Sequence, residues 1–433
     1  MSSLNGTEAD FEDTAHASDL AAWLETLPRD AALERLARLP LPRRADAFGY
    51  LRIATQRDLA RLLPAADLAA IVVEMDADDR ADLFKALSAG ERQRILPMLP
   101  PEDRDDIRRL SAHDEGTAGA IMTSDFVTLD PAMTAADAIA ALRLSAADAE
   151  TIYRSYVLDG DGRLVGSVRL HRLILAAEDA PVAAIMESVP VSVGPLTDQE
   201  EVARAIARYD ILAIPVVETD GRLVGIVTHD DAADALQAET TEDFQRISTV
   251  LPFTQSLRDA GIGMLYSRRI VWLALLVFGN LFSGAGIAFF EETILAYVSL
   301  VFFLPLLIDS SGNAGSQSAT LMVRALATGD VALRDWRALI LRELAVAAAL
   351  GATMAAVVAP LGAWRGGPDI ALVVAATMMV VVVIGSLVGM SLPFLLSRLR
   401  LDPATASGPL VTTISDAVGV MVYFSVATAV LAP

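Results

Sequence analysis

The 433-residue chain has no cysteine, which excludes disulfides and thiolate metal sites. Its four scattered histidines argue against a histidine-rich transition-metal site. No nucleophile–base pair, phosphate-cradling glycine loop or metal-hydrolase spacing is present, so an enzyme ranks last among the function classes. The N-terminus lacks a basic segment followed by an apolar stretch, and a cleaved signal peptide is not expected. Basic side chains are in short supply, with 34 Lys and Arg against 55 Asp and Glu and a net charge of −21. Residues 268–433 hold nine Arg and nine acids, so the whole imbalance, 25 basic against 46 acidic, belongs to residues 1–267. Such a half repels nucleic acid and attracts cations. For most single acids, solubility is the blander explanation.

Long apolar runs are plentiful in the second half: about 270–290, 294–322, 336–361, 369–396 and 404–431. Each exceeds the roughly 20 residues needed to span a bilayer as a helix. Arg268, Arg269, Arg324, Arg334, Arg337, Arg398 and Arg400 fall in or beside loops on one side, against Arg365 on the other. The positive-inside rule puts the N-terminal half in the cytosol of an inner-membrane protein and the C-terminus outside.

Within these runs lies Pro305-Leu-Leu-Ile-Asp-Ser-Ser-Gly-Asn-Ala-Gly-Ser-Gln-Ser-Ala-Thr320, almost wholly small and polar at its C-terminal end. Lipid offers no replacement for lost hydrogen bonds, so these groups must face protein or a polar path. Asp416, after Thr412-Thr-Ile-Ser, sits deep in the last run. An intramembrane carboxylate costs roughly 2.5–3.5 kcal/mol even on lenient scales and marks an ion or proton path. The membrane half is expected to conduct a cation.

The acidic half has two parts. Residues 1–17 are polar without apolar period and are expected to be disordered. From 18 to 118, short amphipathic helices recur, with echoes at Leu36–Pro40, Leu59–Pro64 and Leu96–Pro100 that suggest a helical superhelix. Asp76, Asp78, Asp79 and Asp82 cluster at one helix start, where capping alone accounts for any single acid. Residues 119–240 read as a duplication: Ile121-Met-Thr returns as Ile185-Met-Glu, and Gly162-Arg-Leu-Val-Gly166 as Gly221-Arg-Leu-Val-Gly225. Asp-Gly turns mark a hairpin in each copy. This pattern resembles a tandem CBS pair (Bateman module). In that family a Thr or Ser and an Asp hold an adenine nucleotide's ribose, which here implies Thr228 and Asp231 and leaves ATP open as a ligand; the first copy lacks the Asp.

The order of parts, with a connecting helix at 241–269 and five transmembrane helices at 270–433, resembles the MgtE family of magnesium channels. The resemblance rests on Ser311-Gly-Asn-Ala-Gly-Ser-Gln-Ser-Ala-Thr-Leu, Arg324-Ala-Leu-Ala-Thr-Gly-Asp, Leu392-Pro-Phe-Leu-Leu, Asp402-Pro-Ala and Gly408-Pro-Leu-Val-Thr-Thr-Ile-Ser-Asp416. Thr197-Asp-Gln-Glu-Glu-Val-Ala-Arg204 and Glu239-Thr-Thr-Glu-Asp243 also fit. It implies a homodimer in the bilayer with one pore, Asp416 holding a hydrated magnesium, and Asn313, Ser316, Gln317 and Thr412 lining the path. It further implies regulatory magnesium shared by Asp402 at the mouth and Glu239, Glu242 and Asp243 on the connecting helix. Glu200, Asp210 and Asp231 are implied as CBS ligands, and Asp78 and Asp82 as N-domain ligands. Magnesium takes oxygen ligands and sheds water reluctantly, which suits this donor inventory.

Two departures stand out. Ser316 and Gly408 occupy positions where the family frequently has asparagine. Asp309 is an added carboxylate, expected either to face the pore or to pair with a neighbouring Ser or Thr. The function expected is a magnesium-selective channel closed by magnesium on its acidic domains. The alternative is a coupled secondary transporter of divalent cations with broader selectivity (Mg, Mn, Co), and a nucleotide-sensing module on a membrane anchor is a third reading.

Overall fold

The computed structural model describes residues 11–12, 14–146, 149–188, 190–253, 257, 260–406 and 408–431. The chain divides into two compact units, Met1–Glu239 and Thr240–Pro433.

The first unit opens with eight helices: α1 (Ala17–Leu24), α2 (Arg29–Arg38), α3 (Leu41–Gly49), α4 (Ile53–Leu62), α5 (Ala65–Glu74), α6 (Ala77–Ala86), α7 (Ala89–Ile95) and α8 (Pro101–Leu110). The sequence echoes come from a period of twelve: Leu39, Leu51, Leu63, Met75, Leu87 and Leu99 are all buried. Leu39, Leu63, Met75, Leu87 and Leu99 follow a helix in extended conformation. Proline after Leu39, Leu63 and Leu99 enforces this, because its ring disfavours helical backbone in the preceding residue. Each repeat thus ends one helix, drops an apolar side chain into the core and starts the next. Of the stretch expected to be disordered, residues 1–10 and 13 lie outside the described residues. The rest is anchored: Phe11 packs edge-on against Trp23, and Glu12 accepts a hydrogen bond from Arg35 at 2.6 Å. Six described residues are too few to show an apolar period.

The duplicated part follows, with β1 (Phe126–Leu129), α9 (Ala135–Ser145), β2 (Thr151–Leu158), β3 (Leu164–Arg169), α10 (Leu170–Leu175), α11 (Val182–Ile185), β4 (Glu187–Ser188), α12 (Gln199–Tyr209), β5 (Ala213–Val217) and β6 (Leu223–Thr228). One sheet has the order β1-β2-β3-β4 and the other is the hairpin β5-β6. Gly162 and Gly221 take positive φ in the two hairpin turns. The copies exchange their leading segments: Glu187 and Ser188 pair with β3, and Thr123 bridges to Ile226 in β6. Met186 thereby lies over Gly166 and Met122 over Gly225, so the repeated Ile-Met and Gly-Arg-Leu-Val-Gly motifs are the two halves of one contact.

Helix α13 (His229–Ile247) carries the end of the first unit and the start of the second. The expected connecting helix over 241–269 is not continuous. It stops at Ile247; the described residues 248–253, 257, 260 and 261 are non-helical, and α14 (Ile262–Phe289) then begins the apolar part. Gln245 pins the break, its amide bonding both the N–H and the carbonyl of Phe253 at 2.8 and 3.0 Å. After α15 (Glu291–Ala296) come α16 (Ser299–Ala327), α17 (Trp336–Arg398) and α18 (Gly408–Leu431). By length and composition, α14, the stretch containing α17 and α18 are apolar enough to cross a membrane. Gly367 (φ 83°) breaks α17. Its arms run back along each other, Gly362 against Ala371 and Gly351 against Met379.

The small residues of α16 face the second arm of α17. A Cβ on Gly389 would sit 1.9 Å from the Gly315 carbonyl oxygen, and one on Gly385 would sit 2.3 Å from that of Ser311. This crossing decides which side of α16 stays open. Gly389→Ala is expected to destabilise the detergent-solubilised chain by about 3 kcal/mol, the upper end for overpacking. Gly284→Ala, where no atom lies within 4 Å of the added Cβ, should stay within about 0.5 kcal/mol. Thermal unfolding of both variants checks this; equal effects would reject the crossing.

Candidate functional site

Two arrangements of oxygen ligands stand out, one in each unit. In the membrane unit, α16 is split lengthwise. Ser311, Gly312, Ala314, Gly315 and Ser318 are buried, whereas Asp309, Asn313, Gln317 and Thr320 are exposed on the opposite face. The Asn313 amide donates to Asp309 at 2.9 Å. Asp416, half-buried on α18, is close enough for the Asp309 charge to act on it. Thr412 turns its hydroxyl to the Pro409 carbonyl at 2.9 Å and its methyl towards Gly312. Ser316 donates to the Gly408 carbonyl at 3.4 Å, so these two positions touch each other. No sequence signal marked Glu343, which accepts a hydrogen bond from Ser318 on the small-residue side.

At one end of this unit, Asp402 accepts the Ala404 N–H at 2.7 Å and an ion pair from Arg246 at 3.0 Å. Arg246 also bonds Glu242. Asp243 adds its charge at the same guanidinium. Partial burial alone would lower the Arg246 pKa; the Glu242 hydrogen bond and the charges of Asp402, Glu242 and Asp243 outweigh it and raise it.

In the first unit, a cavity of about 470 Å³ is lined by Asp46, Asp76, Asp78, Asp79, Glu150, Asp230, Asp231 and Asp234, with Tyr50 and His16 at its edge. It gathers acids from helices α3, α6 and α13 and the segment before β2. Burial, and then their mutual charge, shifts their protonation, with Arg80 opposing the shift only at Asp76. Burial, then the charges of Asp76 and Asp231, raise Asp79 to about 7. Burial, then Asp76 and Asp231, raise Glu150 to about 8. Burial raises Asp231 to about 6 despite the Thr228 hydroxyl bonded to it. Asp78 is pushed up by burial and by Asp231. One oxygen each of Asp78 and Glu150 is buried with no hydrogen-bond partner. Among the described residues, no three such groups stand ready to enclose a bare ion. The width suits a cation that keeps its water.

The remaining expected ligands lie apart from this cavity. Asp82 is exposed and pairs with Lys85 at 3.4 Å. Glu200 is bound by Arg204 at 2.7 Å, Asp210 is exposed at the left-handed C-cap of α12, and Glu239 accepts from Gln199 at 2.6 Å. Asp46, Glu150, Asp230 and Asp234 join the site without having been singled out in the sequence. Asp230, Asp231 and Asp234 share a helix face by their spacing, but nothing local marks Glu150.

The family model described as a divalent cation transporter (MgtE) matches residues 304–426. That for the MgtE intracellular N domain matches 15–116, and the CBS domain model matches 118–179 and 182–238. The magnesium transporter MgtE of Thermus thermophilus is 39% identical over 419 residues, 96% of this chain and 93% of that one. The protein of the same name from Bacillus subtilis is 32% identical, covering 95% and 91%. A solved cytosolic domain of the Mg2+ channel MgtE in complex with ATP is similar over 52% of this chain and 92% of its own, with 38% identity and a TM-score of 0.50. The soluble part of a magnesium transporter is similar at 31% identity and a TM-score of 0.51, over 53% and 91%.

A divalent ion entering the acidic cavity would compete with protons. The cavity's folded pKa values lie above their ordinary ones, so the metal-free fold binds extra protons and loses stability as pH rises from about 4 through 8. Magnesium is expected to offset that loss and to release protons on binding. Its apparent affinity should fall roughly tenfold between pH 8 and pH 6 for one linked proton across part of that range. Calorimetric titration in buffers of different ionisation enthalpy checks this; pH-independent binding without proton release would exclude the cavity.

Proposed function

The chain belongs to the MgtE family of divalent cation transporters, and from that premise we propose that it is a magnesium-selective channel of the inner membrane, closed by magnesium bound to its acidic soluble half. The observation that carries the reading is the exposed row of Asp309, Asn313 and Gln317 on α16 with Asp416 beside it. Carboxylate and amide oxygens replace part of a hydration shell without stripping a strongly hydrated ion. In a coat of lipid this row would cost several kcal/mol, so it needs water or protein opposite.

A second copy of the chain supplies that wall. We read the protein as a homodimer in which two such rows face across one path and two Asp416 side chains share the ion. Five crossings per copy follow if α14, α16, both arms of α17 and α18 each traverse the bilayer. The arginine distribution then puts the N-terminal half in the cytosol and the C-terminus outside. Asp309 joins the path, its amide partner Asn313 holding it towards Asp416.

The acidic cavity is the sensor in this account. Its carboxylates repel one another when magnesium is scarce, and a hydrated ion relieves that repulsion only where they are close together. Binding therefore favours the arrangement that brings them together. Asp78 and Asp231 would hold the ion with Asp79 and Glu150. Thr228 and Asp231 are the pair we assign to the ribose of a CBS nucleotide; their mutual hydrogen bond must then open, and ATP phosphates need an accompanying cation beside so many acids.

Asp416→Ala is expected to cut magnesium flux at least tenfold in proteoliposomes without sodium or proton gradients. Asp416→Asn keeps an oxygen but loses charge, and should retain part of the flux with poorer discrimination against competing ions. Wild-type flux and selectivity in Asp416→Ala would remove the carboxylate from the path. Wild-type flux that appears only with an imposed gradient would replace the channel by a coupled transporter.

A further inference from the structure

The pore mouth contains a cation of its own. All three guanidinium nitrogens of Arg246 are engaged: Nε and Nη2 with one oxygen of Glu242, and Nη1 with Asp402 at 3.0 Å. The other Asp402 oxygen accepts the Ala404 N–H. Three of the four oxygens on Glu242 and Asp402 are therefore committed before any ion arrives. Beside the charges, Ile247 packs into an apolar cluster with Val323, Ala404 and Ala406, flanked by Leu392 and Leu396. The end of α13 is thus seated on the turn that leads into α18.

We propose that Arg246 is the resident cation of this contact, bridging Glu242 to Asp402 so that the end of the connector docks on the pore mouth without a divalent ion. The inference rests on the proposed pore only in calling this end its mouth. Its physical basis is competition. A divalent ion placed between Glu242 and Asp402 would stand against a guanidinium that cannot lose its proton, and to reach the Asp402 oxygen that faces Glu242 it must displace the Nη1 contact. A planar guanidinium meets two carboxylates at once with directed hydrogen bonds. The ammonium of a lysine is a single point and would satisfy them less completely. Where the sequence expectation has Asp402 share regulatory magnesium with Glu239, Glu242 and Asp243, this proposal assigns the dependence on magnesium to the acidic cavity of the first unit and has the mouth contact held by arginine with or without magnesium.

The absence of native cysteine makes a direct test available. Ile247→Cys and Ala404→Cys are introduced together in the full chain, and their rate of crosslinking by a short bifunctional thiol reagent is followed with EDTA and with magnesium. With Arg246 present, the rate is expected to be the same under both conditions. Arg246→Gln should lower the EDTA rate about fivefold, the scale of a partly exposed charge network, and magnesium should restore it through the freed carboxylates. Arg246→Lys should fall between the two. Crosslinking in EDTA at the parent rate in Arg246→Gln, or a parent chain that crosslinks only with magnesium, overturns the proposal. A lysine variant equal to the parent overturns the three-nitrogen bridge. No transport is needed for this readout, so a chain that conducts no magnesium yet crosslinks as described would fail as a channel while keeping the arginine contact.

Discussion

Carboxylates held together without enough positive charge impose the main constraint on this molecule. Eight acids surround one cavity of the first unit, and Asp309 and Asp416 stand near each other in the second. Mutual repulsion between such groups is roughly 1–3 kcal/mol per close pair at the effective dielectric of a protein surface. Folding cannot remove that cost internally, because no lysine or arginine lines the cavity. Protons relieve it up to neutral pH, where Asp79 (about 7) and Glu150 (about 8) still hold them, and cations must relieve it above. The first unit therefore has a built-in dependence on cations before any functional role is assigned to it.

Where an internal cation is supplied, the chemistry changes. Arg80 lies between Asp103, Asp106 and Asp125 at 3.3–3.5 Å, and Arg246 bridges Glu242 and Asp402. These carboxylates have a resident cation in direct contact, although each group stays net negative. Acidic clusters that look alike in sequence thus divide into those with an arginine in reach and those without. The division separates structural ion pairs from candidate sensors. It also explains why Glu200 and Asp82, each paired with a basic neighbour on its own helix, stand outside the cavity.

Much of this was legible in the sequence because short-range chemistry writes it there. The polar interruption in α16 and the deep Asp416 violate what lipid tolerates, so they announce themselves. The Ile-Met and Gly-Arg-Leu-Val-Gly repeats are visible as a duplication, although only the structure shows Met122 over Gly225 and Met186 over Gly166. The two sides of α16 were not separable from composition: serine and glycine serve close helix packing as readily as they line a path. Gly367 turns one long helical stretch into two arms through one backbone angle, and Gln245 ends the connector at Ile247 through a side-chain bond to a backbone eight residues on, which no periodicity records. Glu150 reaches the cavity from the segment before β2, which no local pattern could reveal.

The central claim is that magnesium on the side of the acidic half shuts a path through the membrane half. It is tested most directly by magnesium uptake into oriented proteoliposomes carrying the intact chain, with free magnesium varied only on the side that faces the soluble unit. The account predicts uptake that is greatest with that side chelated and falls as its magnesium rises through the range that fills the cavity. Uptake that is unchanged by magnesium on that side, while still present and selective, would contradict it.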